Sequence, residues 1–227
     1  MRLLIIRHGD PDYANDTLTE KGWAQARLLG DRLAGEHIDK IYCSPLGRAQ
    51  DTAKPTVERI GLQPEIREFL REFPAGIKTA YRPNGMCPWE MLPQHWSSLP
   101  ELFDREAWRT VSPFAESDVP AVYDRVCAGF DELLAEHGYT RRGRLFDCPH
   151  PTDETIALFC HQGLGLTLVS YIVGLSLPLV WQTMFLPTSS VTQVDFELHR
   201  EEPGVAAARV MFVGDTQHLS GFTWEKA

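Results

Sequence analysis

The chain has 227 residues, which suits one sizeable domain or two small ones and leaves room for a substantial buried core. Hydrophobic residues make up 43% and charged residues 23%, as in soluble globular domains, and no apolar run approaches the roughly 18 residues of a membrane span. A net charge of −9 argues against general nucleic-acid binding. The apolar run at the start lacks a signal-peptide pattern. We therefore expect a cytoplasmic protein with neither a nucleic-acid nor a membrane partner.

In the first third of the chain, short apolar runs alternate with segments of helical periodicity. The run LLII at residues 3–6 is typical of a buried strand, and it stops at the charged pair Arg7 and His8. The next predicted elements are a helix over 17–37 with a capping box at Thr17 and Glu20, a strand over 38–44, a helix over 46–61 that Pro55 shortens or bends, and a short strand within 64–73.

Periodicity is lost over residues 73–118, which carry six prolines and three tryptophans. An irregular segment of this length inside a compact domain is often functional, for example as a lid. We therefore predict a cap over a substrate site, with the tryptophans in the core of the cap. The alternative is a packed surface excursion without a role in binding.

Regular patterns return in the second half of the chain. The predicted elements are a helix over 119–139, a strand over 155–161, a helix over 164–175, and two strands over 190–198 and 205–214 that could form a hairpin. Strands that alternate with helices predict an α/β sheet covered on both faces. The five cysteines are odd in number and scattered, which disfavours a disulfide framework.

Two of the predicted strands end in a histidine with a glycine shortly after it. His8 follows the first strand, and His161 closes the strand over 155–161. Because ligands of open α/β sheets bind at the carboxyl ends of the strands, we expect these histidines to meet in one crevice. Arg48 lies in the first turn of a helix that follows a third strand end, where free N–H groups attract anions. Together with Arg7, these side chains predict a compact cationic pocket.

A phosphoryl group is the natural ligand of such a pocket. Arginine offers a planar fork of donors that matches phosphate oxygens, and fixed donors stabilise the charge that spreads over those oxygens in the transition state. A histidine can attack phosphorus and form a covalent intermediate. Neighbouring cations disfavour imidazolium, which keeps a nitrogen lone pair available for that attack.

Several stretches of the chain resemble one known family. The segments LLIIRHG, LTEKGWAQA, SPLGRAQDTA and ALFCHQG, with GDTQHL near the end, are similar in sequence and order to motifs of the histidine phosphatase superfamily, also called phosphoglycerate mutase-like. The resemblance implies a three-layer α/β/α sandwich with a mostly parallel sheet. It also implies a single domain over residues 1–227, with the irregular cap inserted at about 73–118.

The resemblance assigns roles to the residues of the predicted pocket. His8 would be the nucleophile that becomes phosphohistidine, and Arg7, Arg48 and His161 would bind the phosphoryl oxygens. The second histidine is followed by Gln162 where the family commonly has glycine, and the Gln162 amide could contact the phosphate.

The family also uses a carboxylic acid, often within a Leu-x-Glu sequence. LRE at residues 70–72 makes Glu72 the preferred candidate, and Glu68 is the alternative. Such an acid would protonate the leaving alkoxide and later activate water. An asparagine often follows the first motif of the family, and Asn15 is the nearest one here. The family's usual Trp-Glu-Gly after the acid is replaced by FPAGIK, which predicts a distinctive cap entrance.

Two readings from other functional classes compete with this one. His8, Asp10 and Asp12 are spaced like a hard-metal site, to which Cys148 and His150 could add ligands. The adjacent arginine argues against that site because it would repel a cation. A dinucleotide binder built on HQGLGL lacks the third glycine of the fingerprint.

The sequence therefore predicts a metal-independent phosphomonoesterase that acts on a small phosphate ester and needs no cofactor. Phosphoglycerate mutase-type phosphoryl transfer and a non-catalytic phosphate-binding member are the alternatives within the family. A homodimer formed through edge strands is compatible with the sequence.

Overall fold

The computed structural model describes residues 1–223 and contains one central sheet with helices on both faces. The helices are α1 (Glu20–Leu33), α2 (Gly47–Ile60), α3 (Pro93–Trp96), α4 (Val119–Glu136), α5 (Gln162–Val173) and α6 (Leu177–Thr183). The strands are β1 (Arg2–Arg7), β2 (Pro11–Asp12), β3 (Thr17–Leu18), β4 (Lys40–Cys43), β5 (Glu65–Ile66), β6 (Ile77–Thr79), β7 (Arg82–Met86), β8 (Thr140–Arg142), β9 (Leu145–Asp147), β10 (Thr155–Cys160), β11 (Val191–Leu198) and β12 (Val205–Asp215).

The eight-stranded sheet has the order β5-β4-β10-β1-β11-β12-β9-β8. The first four strands are parallel, and the remaining neighbours pair antiparallel, so six of the eight strands share one direction. This confirms the mostly parallel sheet and the hairpin between the last two strands. The parallel half places the carboxyl ends of β4, β10 and β1 side by side.

Strand β1 is buried on both faces, and its alternating side chains belong to two separate cores. Leu3 and Ile5 pack into the larger core with α4, α5 and α6, whereas Leu4 and Ile6 pack against α1 and α2. Each of these four side chains is at most 3% exposed. The continuous apolar run of the sequence therefore reflects a central strand between two helical layers, which confirms the three-layer α/β/α architecture.

Two local predictions are corrected by the structure. The N-cap of α1 is Thr19, whose side chain accepts from the Gly22 amide, whereas Thr17 pairs within the small β2–β3 ladder. The predicted capping box at Thr17 is therefore wrong, because the chain is still extended there. Helix α2 continues through Pro55 to Ile60, so the proline does not shorten it.

The segment 73–118 is irregular, as the sequence indicates. It contains the β6–β7 hairpin, the single turn α3 and two short 3₁₀ helices. Trp108 is 1% exposed and packs edge-on against Phe114 and Tyr123, as expected for a tryptophan in a packed interior. That the segment caps a substrate site stays a prediction. Within the described part of the chain, none of the helices combines the length and apolarity needed to cross a membrane.

Candidate active site

His8 and His161 meet at the carboxyl ends of two neighbouring parallel strands. Strand β1 pairs with β10 in a register that sets Arg7 opposite Cys160, so the next residue of each strand is a histidine. The two ring centroids are 5.1 Å apart, and the side chains belong to residues that are 2% and 0% exposed. The two histidines therefore meet, as the strand-end pattern predicts.

The hydrogen bonding of His8 fixes its tautomer. Its Nδ1 lies 2.7 Å from the Gly9 carbonyl oxygen, which can only accept, so Nδ1 carries the proton and Nε2 keeps its lone pair. Burial, with a smaller contribution from the positive charges of Arg7 and Arg48, lowers the pKa of His8 to about 4, and the Gly9 contact opposes this shift. At neutral pH the side chain is thus an uncharged imidazole with an available nitrogen.

His161 is also held neutral. Burial is the main reason that its pKa lies well below the ordinary value, and the nearby His8 and the two arginines add to the effect. Its Nε2 is 2.7 Å from the Ser44 hydroxyl, whereas Nδ1 is buried without a hydrogen-bond partner. A buried polar atom without a partner points to a ligand that completes the site.

Two arginines flank the imidazoles, each fixed by its own contacts. The Arg7 guanidinium donates to the Gln162 side-chain oxygen at 2.7 Å and also to the Leu186 carbonyl oxygen. Arg48, 9% exposed, donates to Asp16 at 2.6 Å. The Nε atoms of both arginines are buried without partners. Gln162 therefore presents its carbonyl oxygen to an arginine, and it orients that arginine.

Asp16 is a site residue that the sequence analysis missed. Its carboxylate accepts from the Gly47 amide at 2.7 Å and from Arg48, and these contacts keep the pKa of the carboxyl below its usual value despite partial burial. The residue has a φ of 48°, a conformation that aspartate tolerates better than most side chains. An Asp within a turn was the available signal, but its partners lie more than 30 positions later in the chain.

Glu72 lies against the first turn of α5. Its Oε1 accepts from the Phe73 amide at 2.9 Å and the Leu164 amide at 3.0 Å, and its Oε2 is 3.4 Å from the Gly163 amide. Burial nevertheless raises the pKa of the carboxyl, against the opposing effect of these amides and of Arg48. A carboxyl in this setting can hold a proton at a pH at which an exposed glutamate would have lost it.

Gly163 explains why the segment 73–118 can approach Glu72. A Cβ atom at this position would lie 2.3 Å from the Trp89 ring and 2.9 Å from the Glu72 carboxylate. Trp89 also packs against Trp181, with ring centroids 5.6 Å apart. The glycine two residues after His161 therefore permits a three-way contact between α5, the carboxyl and the segment 73–118.

The other candidates of the sequence analysis lie outside this cluster. Glu68 is exposed and pairs with Arg71, and Asn15 is exposed and donates to Asp12. Asp10 accepts from the Thr19 hydroxyl. Among residues 1–223, no group of three or more histidine, cysteine or acidic side chains has the geometry to hold a metal ion. All five cysteines are free thiols.

A loop and the end of the chain hold the backbone of the first motif. The Ser189 amide donates to the His8 carbonyl oxygen at 2.9 Å, and Ser189 has a φ of 60°, which is rarely adopted by serine. The Ser189 hydroxyl contacts His218 Nε2 at 3.0 Å, and Arg32 Nη1 is 3.3 Å from His218 Nδ1. Because arginine only donates, Nδ1 accepts and the imidazole is neutral. The GDTQHL segment thus supports the backbone of His8.

The His218 contact makes a prediction about stability. Burial and Arg32 lower the pKa of His218 to about 4, whereas an unfolded histidine takes up its proton near pH 6.5. As pH falls from 6.5 to 4, the unfolded chain gains a proton that the folded chain does not, so stability decreases. We expect His218→Asn to reduce the slope of the free energy of unfolding against pH by at most about 1.4 kcal/mol per pH unit, measured by urea unfolding. An equal flattening in the exposed-site control His150→Asn would contradict this assignment.

The cluster as a whole has the donors to bind an anion and two uncharged imidazoles beside them. Two guanidinium groups supply donors, the His8 Nε2 supplies a nucleophilic lone pair, and Glu72 can supply a proton. Charge that develops on an anion in this pocket meets fixed donors with little reorganisation, which is the main source of electrostatic catalysis.

Comparison with known proteins gives a consistent family assignment. A model of the histidine phosphatase superfamily (branch 1) matches residues 3–205. The chain is 26% identical over 232 residues to "Probable phosphoglycerate mutase GpmB" of Yersinia enterocolitica, covering 96% of this chain and 95% of that protein. It is 28% identical over 148 residues to "Phosphoserine phosphatase 1" of Hydrogenobacter thermophilus, covering 60% of this chain and 66% of that protein.

Solved structures give the same fold. A mycobacterial glucosyl-3-phosphoglycerate phosphatase with inorganic phosphate matches with a TM-score of 0.61 and 24% identity over 96% of this chain and 98% of that one. The phosphoserine phosphatase of Entamoeba histolytica in complex with 3-phosphoglyceric acid matches with a TM-score of 0.63 and 20% identity, at the same coverage. These likenesses support the α/β architecture, and the family match spans both histidines, both arginines and Glu72.

Proposed function

Because the chain belongs to the histidine phosphatase superfamily, we propose that it is a metal-independent phosphomonoesterase that acts on a small phosphorylated metabolite through a phosphohistidine on His8. The observation that carries this proposal is the His8 imidazole. It is buried, neutral and protonated on Nδ1, with its Nε2 lone pair beside two arginines and a second imidazole. Members of the family include phosphatases, and phosphate monoester hydrolysis is the chemistry that this arrangement supports best.

The proposed reaction has two steps. The phosphoryl oxygens contact Arg7, Arg48 and His161 while His8 Nε2 attacks phosphorus, and the bond from phosphorus to the ester oxygen breaks. Glu72 gives its proton to the departing alkoxide, which leaves as an alcohol. In the second step the Glu72 carboxylate takes a proton from water, the oxygen of that water attacks phosphorus, and the phosphorus–nitrogen bond breaks. The products are inorganic phosphate, neutral His8 and protonated Glu72.

Phosphoglycerate mutase-type transfer is the second candidate, favoured by the 26% identity to a protein named as such a mutase. A mutase returns the phosphoryl group to an organic acceptor and must keep water away from phosphohistidine. The two activities are separated by the product: a phosphatase releases inorganic phosphate in step with substrate loss, and a mutase forms an isomeric ester.

The function is tested with protein freed of metal by EDTA. We expect this protein to release inorganic phosphate from at least one ester of a panel that includes O-phosphoserine, 3-phosphoglycerate and p-nitrophenyl phosphate, with His8→Asn as the control. Activity that disappears with EDTA and returns with one divalent metal would contradict the metal-independent mechanism. Tight vanadate binding without turnover of any ester would indicate a non-catalytic member of the family.

A further inference from the structure

The two most exposed large hydrophobic side chains among residues 1–223 both lie on the pocket arginines. Tyr13 is 69% exposed and Phe185 is 62% exposed. Tyr13 belongs to the loop between β2 and β3, and Phe185 belongs to the segment between α6 and β11. Two unrelated loops therefore bring an exposed aromatic ring to one site.

The guanidinium carbon of one arginine lies over the face of each ring. The Arg48 Cζ atom is 5.4 Å from the centre of the Tyr13 ring, and the Arg7 Cζ atom is 5.4 Å from the centre of the Phe185 ring. The Tyr13 side chain also interacts with Arg7. Arginine carries several N–H donors, so the remaining donors can bind a phosphate while the rings stay in place. The rings thus lie beside the two arginines proposed to bind the phosphoryl group, near where the leaving group of an ester would be.

The contacts with arginine do not by themselves account for two exposed rings. A cation–π contact at an exposed site is weak compared with the gain from removing an aromatic ring from water. Both rings keep well over half of their surface exposed. Exposed apolar surface beside a polar pocket is a common mark of a ligand-binding surface.

The charges around the pocket disfavour a second anionic group on the ligand. Arg7 is already bonded to the Gln162 side chain and a backbone carbonyl, and Arg48 is bonded to Asp16. The charge of a third arginine, Arg71, also acts on His161. The Arg71 Nε atom lies 3.5 Å from the Glu68 Oε2 atom, so this arginine is paired as well. The donors that remain on Arg7 and Arg48 are those proposed to bind the phosphoryl group, so a carboxylate on the leaving group would have no separate arginine among these three and would meet the acidic surface of a chain with a net charge of −9.

Resting on the proposed function, we propose that the leaving group of the substrate carries an uncharged aromatic or heteroaromatic ring, which packs against Tyr13 and Phe185. The ester oxygen then lies near Glu72, and the ring lies at the mouth of the pocket. This specificity differs from that suggested by relatives named for phosphoserine or phosphoglycerate, whose leaving groups carry a carboxylate.

A purely structural role for the two rings makes a different prediction. If they only hold the guanidinium groups in position, their removal weakens every phosphate ligand by the same factor. If they contact the leaving group, their removal weakens aromatic ligands selectively. The ratio between an aromatic and an aliphatic ligand separates the two roles, because effects on the phosphate site cancel.

The test measures binding and turnover with matched ligands. Benzylphosphonate and ethylphosphonate are compared as inhibitors or by calorimetry, and benzyl phosphate, ethyl phosphate and O-phosphoserine are compared as substrates. We expect the wild-type protein to favour the benzyl compound at least tenfold over both others. We expect Phe185→Ala, Tyr13→Ala and the double variant to reduce the benzyl-to-ethyl ratio, the double variant by about tenfold. Tyr13→Phe should keep the ratio if the ring is the recognised part.

The matched control is Phe103→Ala, which also removes an exposed phenylalanine ring. Phe103 packs against Trp96 and lies outside the pocket. Its benzyl-to-ethyl ratio should equal that of the wild type. A wild-type ratio near one, a ratio unchanged in the double variant, or a preference for O-phosphoserine would overturn the inference. Because the phosphonates need no turnover, a protein that binds them selectively but hydrolyses no ester would contradict the proposed function and leave the aromatic specificity standing.

Discussion

His8→Asn is expected to lower kcat/KM for phosphate ester hydrolysis by about 10⁴-fold or more, the scale seen when a covalent nucleophile is removed. The asparagine amide can still donate to the Gly9 carbonyl, so the local backbone contact survives. What disappears is the Nε2 lone pair, because an amide nitrogen does not attack phosphorus at a useful rate. The same substitution should abolish the acid-labile phosphoenzyme that is trapped when the wild type is quenched during turnover.

The variant should still bind vanadate, since Arg7, Arg48 and His161 remain. His37→Asn, at a side chain that is 87% exposed, is the matched control and should keep wild-type activity. Activity of His8→Asn within tenfold of the wild type, in protein free of contaminating phosphatases, would exclude His8 as nucleophile. The lowered pKa of His8 also places the acid limb of kcat/KM near pH 4, because protonation of Nε2 below that pH blocks the attack.

The parts of the site that lie at strand ends could be predicted from the sequence. The sequence shows a four-residue apolar run that stops at Arg7 and His8, and a second run that stops at His161. In a parallel sheet, both patterns place a histidine at the carboxyl edge, where ligands bind. Adjacent parallel strands in matched register bring their ends together, and the structure supplies the adjacency of β1 and β10. The same argument placed Arg48, since its helix begins after the neighbouring strand.

Residues that complete the site through distant contacts could not be predicted in this way. Asp16 meets Arg48 across a loop, and its left-handed backbone is a property of the folded chain. Tyr13 and Phe185 look like ordinary loop residues until their exposure and their arginine partners are known. In the sequence, His218 stands out only as part of the GDTQHL segment, and its contact with Ser189 depends on the path of the last strand.

The same limit applies to the fold. Long elements such as β1, α4 and β10 have strong periodicity, and the structure places them close to the predicted ranges. The strands β8 and β9 have three residues each, too few for an alternating pattern, and they exist because they extend the edge of the sheet beside β12. Thr17 was misassigned for a related reason, because the ladder that keeps it extended comes from pairing with β2.

Glu72→Gln should affect substrates according to how much their leaving groups need a proton. For an alkyl ester such as ethyl phosphate, we expect kcat/KM to fall by about 10²- to 10⁴-fold, the usual range for loss of a general acid. For p-nitrophenyl phosphate the effect on kcat/KM should be below about tenfold, because nitrophenolate leaves without protonation. The second step still needs a base, so kcat should fall and phosphohistidine should accumulate, with a burst of nitrophenol that the wild type lacks.

The raised pKa of Glu72 adds a test in pH. Its carboxyl must be protonated to act as an acid, so kcat/KM for the alkyl ester should decline as pH rises through that pKa, while the nitrophenyl ester should show no such limb. Glu68→Gln is the matched control, since Glu68 is exposed and paired with Arg71, and it should behave like the wild type on both esters. Equal losses on both esters in Glu72→Gln, or a leaving-group dependence that appears in Glu68→Gln instead, would remove Glu72 from its proposed role. Either result would mean that the contacts between Glu72 and the start of α5 serve to anchor the helix, and that the proton comes from another group.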